Sequence, residues 1–205
     1  MLNKFKISSK AFNLAILFGL LCAAFLSFAD FNASCDDLRA NVLRLHIIAN
    51  SDSGEDQALK LKIRDRILEE SGDLFEGVAD IDNAVLKAEQ NADYYCEIAN
   101  RVIKENGYDY KAEATVGYSY FETREYEDFT LPAGNYKSLI ISLGEAKGKN
   151  WWCVIFPEVC IPAATADLSD TVTEESSHIA EQPQRYIMRF KIAEIYENIK
   201  KLIKD

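Results

Sequence analysis

The residues most able to do chemistry sit together at Asp52-Ser53-Gly54. An Asp-Ser-Gly tripeptide at the end of an apolar run is the setting of paired-aspartate hydrolysis. That chemistry needs two such carboxylates sharing one proton, and the chain carries a single copy, so a hydrolase using Asp52 would have to be a dimer. The competing reading is structural: Ser51, Asp52 and Ser53 are all good helix caps, and Glu55 and Asp56 suit the positive end of a helix. The same acidic loop lacks the alternating Asp spacing and distant Glu of a calcium loop, so no metal is expected. Gly144-Glu145-Ala146-Lys147-Gly148-Lys149-Asn150 has the glycines and lysine of a phosphate loop. It is one residue short, and Asn150 stands where a magnesium-binding hydroxyl is needed, so it reads as a turn. With His46 inside an apolar segment and His178 in an acidic one, no serine or cysteine nucleophile has an evident base. No cofactor is implied.

These residues must be positioned by the elements around them. Residues 41–49 are apolar and branched and predict a buried strand, broken at 50–54. A helix follows over 55–70 with Leu59, Ile63 and Ile67 on one stripe, and Leu61 and Leu68 opposite suggest cover on two sides. A second helix runs from Ile81 to Ile103 on a three-and-four apolar spacing and ends at Asn106-Gly107. Rough alternation from Ala112 to Glu122 predicts a strand. Tyr136–Leu143 and Trp151–Phe156 predict two more, joined as an antiparallel hairpin through 144–150. Residues 163–183 are poor in apolar side chains and read as a flexible acidic loop before a helix over 185–204. The order β-α-α-β-β-β-α predicts an α+β domain over 30–205, a mainly antiparallel sheet with helices packed on one face. Trp151 and Trp152, adjacent on a strand, should point to opposite faces, one toward the core and one exposed, unless the surrounding elements bury both.

The N-terminus sets the compartment. Lys4, Lys6 and Lys10 precede a stretch, 11–29, with no charge, the layout of an export signal. Ser27-Phe28-Ala29 offers a cleavage site after Ala29. The stretch also approaches the ~20 residues of a spanning helix, so an uncleaved anchor is the alternative, and residues 11–29 are then the membrane contact. Cys22 has no lipidation motif around it. Three of the 23 basic residues and none of the 33 acids lie in the first 29 residues, so the rest carries a net charge of −13. A chain so acidic is a poor nucleic-acid binder and is expected to be repelled by anionic lipid. Beyond the signal lie Cys35, Cys96, Cys153 and Cys160. An oxidising compartment permits a Cys153–Cys160 disulfide; the alternative is buried thiols.

Two blocks, LRLHIIANSDSGEDQALKLKIRDRIL at 43–68 and LPAGNYKSLIISLGEAKGKNWWCVIFPEVC at 131–160, resemble the stage II sporulation protein R family, as does their order between an export signal and a closing helix containing Arg189-Phe190-Lys191. The resemblance implies an exported signal of endospore formation, acting in the space between the forespore and mother-cell membranes. There it would activate the membrane-embedded aspartic peptidase that processes pro-sigma-E, by favouring the active state of that receptor. On that reading the chain is not an enzyme. The candidate contact surface is Asn50, Ser51, Asp52, Asp56, Gln57, Lys60, Arg64 and Asp65, with Asn150 and one of Trp151 or Trp152. The same residues could instead serve capping and helix-surface pairing. Outside the signalling reading stand the Asp52 hydrolase and a structural or cell-wall binding module of the sporangium.

Overall fold

The computed structural model describes residues 9–126, 129–157 and 171–204. Helix α1 runs Ser9–Ala40, β1 Leu43–Ile48, α2 Gly54–Ser71, α3 Ile81–Gln90 and α4 Ala92–Glu105. Strand β2 (Ala112–Phe121) is followed by the short pair β3 (Arg124–Glu125) and β4 (Thr130–Leu131), then β5 (Gly134–Leu143) and β6 (Asn150–Phe156). Helices α5 (Glu174–Glu181) and α6 (Ile187–Lys204) close the described chain.

The fold is α+β, but its sheet is mixed. The strand order is β2-β5-β1-β6. β1 lies parallel to β5 and antiparallel to β6, and β2 is antiparallel to β5. The expected hairpin between residues 136–143 and 151–156 does not form, because β1 is inserted between those strands. The physical reason lies in β1 itself. Its Leu43, Leu45 and Ile47 are buried on one face and its Arg44 on the other, and only a central strand is covered on both sides.

The first face packs on α2, α3 and α4. Leu59, Ile63 and Ile67 of α2 meet Ile98, Ala99 and Val102 of α4 over Leu45, Ile47, Leu139 and Ile141. Burial of such a side chain stabilises the fold by about 1.5–3 kcal/mol. Of the two leucines opposite that stripe, Leu61 is exposed and Leu68 half-buried, so the second side of α2 is covered only in part. The long helix expected from 81 to 103 is broken at Asn91, whose backbone and side-chain amides both donate to the Lys87 carbonyl. Asp80 caps α3 by accepting from the Asn83 amide at 2.8 Å, and Gly107, at φ +80°, ends the turn after α4.

The second face is not open. The end of α1, the β3–β4 hairpin and α5 cover it through Leu38, Val42, Phe121, Phe129, Leu131, Tyr136, Val154 and Ala180. Helices therefore pack on both faces. Arg44 lies inside this layer, its guanidinium 3.8 Å from the Phe121 ring centre and donating to the Tyr126 hydroxyl at 2.6 Å. Burial lowers its pKa, and the Tyr126 contact offsets this in part.

Within the segment read as a loop, residues 174–181 form α5. Thr173 caps it, accepting from the Ser176 amide, and Asp37 of α1 accepts from the Thr173 amide at 2.9 Å. Few apolar residues are needed because the small Ser176, Ser177 and Ala180 are buried beside Ile179, which packs with Phe31 and Cys35. The remainder of that loop up to residue 170 lies outside the described residues. In α1 the uncharged stretch is exposed, whereas Phe31, Cys35 and Leu38 are buried.

Candidate functional site

The two long sequence blocks meet at one end of the sheet. The carboxyl ends of the parallel strands β1 and β5 and the amino end of β6 lie together there, so the loop after β1 faces the turn before β6. The two are joined backbone to backbone: the Gly148 amide donates to the Ala49 carbonyl at 2.8 Å and the Lys147 amide to the Asn50 carbonyl at 3.1 Å. Side chains complete the closure. Asn50 Oδ1 accepts from the Glu145 amide at 2.9 Å and Asp52 Oδ1 from the Lys149 amide at 2.7 Å. From α2, Lys60 Nζ donates to the Lys149 carbonyl at 2.7 Å and Gln57 Nε2 to the Ser51 carbonyl at 2.8 Å.

Asp56 is the centre of this network. It is 5% exposed and accepts from Asn50 Nδ2 at 2.9 Å, Ser51 Oγ at 2.5 Å and Tyr110 Oη at 2.7 Å. Its amide is capped by Ser53 Oγ at 3.1 Å, so Ser53 is the cap of α2. Burial pushes the Asp56 pKa up, and the hydrogen bonds from Ser51, Tyr110 and Asn50 outweigh it, leaving it below the ordinary carboxylate value. Burial and the Asp56 contact raise the Tyr110 pKa. Lys60 is buried, and desolvation lowers its pKa against the pull of Asp52. Tyr110 belongs to the site although nothing in its own segment signals it; only the fold brings it to a carboxylate 54 residues away.

Toward solvent, Arg64 lies 4.3 Å from the centre of the Trp151 ring and pairs with Asp65 at 2.5 Å. This cation–ring contact gives the site an aromatic and charged outer edge. Asn50, Ser51, Asp52, Asp56, Gln57, Lys60, Arg64, Asp65 and Trp151 are thus brought together. Asn150 and Trp152 are not. Their strand positions oppose Ile48 and His46, so they project to the other face, where Trp152 packs with Phe121 and His46. Both tryptophans are half-buried, so neither of the simple alternatives for the pair describes them. Cys153 is disulfide-bonded, whereas Cys22, Cys35 and Cys96 are free thiols. Cys160, its expected partner, lies outside the described residues.

His46 gives a pH signature. Burial lowers its pKa, a contact with Asn150 raises it in part, and the Arg44 charge lowers it further. The unfolded chain therefore binds a proton before the native one does. Stability should be constant above the ordinary histidine value of about 6.5 and fall as pH drops from there toward the lower folded value. Urea midpoints measured between neutral pH and mild acid should show this limb, and His46→Gln should flatten it.

The fold and the site define an α+β domain in which the loop after the central strand and the turn before the edge strand are joined by backbone and side-chain hydrogen bonds, beside one buried carboxylate that holds the loop. A family model described as stage II sporulation protein R matches residues 39–166, and the chain belongs to that family. It is similar to the stage II sporulation protein R of Bacillus subtilis (strain 168), 34% identical over 118 residues that make up 58% of this chain and 53% of that protein. The chain thus spans about half the length of the curated relative it matches. No solved structure matches.

Proposed function

We propose that the chain is an exported signal of endospore formation that acts between the forespore and mother-cell membranes and activates the membrane-embedded aspartic peptidase that processes pro-sigma-E, without being the peptidase itself. The observation that carries the proposal is the joining of the two family blocks, by hydrogen bonds, into one partly exposed site at a sheet end. Family membership supports the sporulation role. Helix α1, apolar and long enough to cross a membrane, is consistent with export. Asp52 has the position of a tie, its carboxylate accepting from the Lys149 amide.

The test is co-expression of the exported chain with the peptidase and pro-sigma-E in a non-sporulating host, scored by pro-sigma-E cleavage. Cleavage should depend on this chain and survive Asp52→Asn, because an amide oxygen can still accept from Lys149. A hydrolase using Asp52 would lose its activity, and a wall-binding module would leave pro-sigma-E intact and pellet with cell wall.

The contact surface is then the outer edge formed by Arg64, Asp65 and Trp151. Arg64→Ala should cost the fold only about 0.5–1 kcal/mol, yet lower the peptidase response by about tenfold or more if Arg64 anchors the interface. Urea denaturation and the dose of chain giving half-maximal cleavage measure the two effects separately. An unchanged dose would remove Arg64 from the contact.

A further inference from the structure

Arg44 is fully buried on the second face of the sheet, among aromatic rings. Its guanidinium lies 3.8 Å from the centre of the Phe121 ring and 4.8 Å from that of Tyr136. Nη2 donates to the Tyr126 hydroxyl, while Nε and Nη1, both buried, have no acceptor among the described residues. A buried cation is ordinarily matched by a carboxylate, because the loss of hydration must be compensated. Two rings and one phenol compensate only in part. The charged or polar groups that act on Arg44 are Tyr126, Tyr136 and a second cation, Arg124; no carboxylate is among them. The surroundings add further N–H groups. Trp152 packs on the same Phe121 ring, centres 5.7 Å apart, and its buried Nε1 also has no acceptor among the described residues. The exposed Arg124 lies 4.8 Å from the centre of the Trp152 ring. In a chain of net charge −10, this is a local excess of positive charge.

A cleft adjoins the cluster. Tyr126 and Phe129 are stacked with ring centres 4.7 Å apart, and both line a cleft of about 390 Å³ between the β3–β4 hairpin and the end of α5. That is the volume of a small-molecule site. Gln182, Gln184 and Arg185 line it as well. Glu181 also borders it, and its carboxylate accepts from Ser177 Oγ at 2.7 Å. Tyr126 thus lines the cleft and holds Arg44 through its hydroxyl.

We propose that the protein binds a small free organic acid in this cleft, its carboxylate held by Arg44 Nε and Nη1 once the Tyr126 side chain moves aside. The planar guanidinium matches a planar carboxylate. One negative charge balances the one buried cation, whereas a phosphate dianion would leave a net charge among aromatic rings. The site lies on the face of the sheet opposite the Arg64–Trp151 edge, and its occupancy is independent of whether the chain activates a peptidase.

The test uses the full chain in a non-ionic detergent, labelled with [15N]arginine and titrated with sodium acetate, a bulky sulfonate keeping the ionic strength constant. The Arg44 Nε–H resonance, recognised by the shift that the Phe121 ring imposes at 3.8 Å, should move and saturate. Those of Arg66 and Arg101, on the other face, should stay. The unfolding temperature should rise by about 3–5 °C for each tenfold increase in acetate above its dissociation constant. Arg44→Met should lose that rise, and without acetate it should unfold no lower than the parent, because an apolar side chain replaces an unpaired charge. An equal rise in both proteins would mark a general salt effect and overturn the proposal. An Arg44 resonance that ignores acetate would also overturn it, and that reading is made in the parent, so it decides even where the variant does not fold.

Discussion

Asp56→Ala is expected to be the most damaging polar substitution in the chain. The carboxylate is buried and accepts from Asn50, Ser51 and Tyr110 at once. Removing it strands three donors in a site with little access to water, each leaving a desolvation penalty of roughly 1–3 kcal/mol. Such losses are not additive within one network, so ~3–5 kcal/mol is the expected total, against a whole-domain stability of about 5–15 kcal/mol. The damage should also spread. Asn50 donates to Asp56 through Nδ2 and accepts from the Glu145 amide through Oδ1, so losing the carboxylate frees the carboxamide that holds the turn before β6. Asp56→Asn should be milder, because the Ser51 and Tyr110 hydroxyls can turn to accept from the new amide. Urea midpoints of the two variants measure the difference. Equal losses would mean that the carboxylate's charge and acceptor pattern, which an amide of the same size cannot supply, decide stability at this position. The carboxylate's charge also has a pH consequence. Its folded pKa is depressed, so its stabilisation is complete above the unfolded value of about 3.9 and fades as pH falls below that.

Gly148→Ala should be nearly as severe, for a steric reason. A Cβ there would overlap the backbone carbonyl of Ser51 and crowd the Ala49 side chain. A carbonyl in a hydrogen-bonded loop cannot swing aside as a side-chain end can. Relief requires the turn before β6 to move off the loop after β1, which loses the Gly148 amide bond to Ala49. Overpacking and the lost bond together should cost about 3 kcal/mol. Gly54→Ala, at the first residue of α2, provides the contrast. Nothing lies within 4 Å of its added Cβ, and the change should raise stability by about 0.4–1 kcal/mol through a less mobile unfolded chain. Thermal or urea unfolding of both variants would check the pair. If Gly148→Ala unfolds like the parent, the two loops are not as closely joined as their hydrogen bonds indicate. In the cleavage assay, Gly148→Ala should fail at temperatures where Gly54→Ala still works, since the joined loops frame the Arg64–Trp151 edge.

Much of this protein is legible in local patterns of residues. The apolar, uncharged stretch from 11 to 29, the branched run of β1, the stripe Leu59-Ile63-Ile67 at four-residue steps and the spacing of α6 are such patterns, and they follow from helix and strand periods alone. The two blocks that carry the family likeness are equally local, and they contain nearly every residue of the site. What the periods do not convey is which elements touch. Strand alternation says that a strand has two faces, not who its neighbours are. β1 separates β5 from β6 because it is apolar enough to need cover on both sides, and that is a property of the whole sheet. The same placement sends Trp151 to the Arg64 side and Asn150 and Trp152 to the other, a division made by strand register. α5 is illegible in the sequence because its apolar content is low; a short helix survives on a few buried side chains when α1 supplies both a cap partner and a packing surface. Tyr110 joins the site for the same kind of reason: its partner Asp56 is near only once α2 and the segment leading into β2 have packed. The apolar N-terminal stretch, the longer strands, α2, α6 and the family are therefore written in single stretches of residues. The sheet order, the closure around Asp56 and the face that each candidate residue presents arise only on folding, because contacts between distant segments are set by the burial of the whole chain and by no single stretch of it.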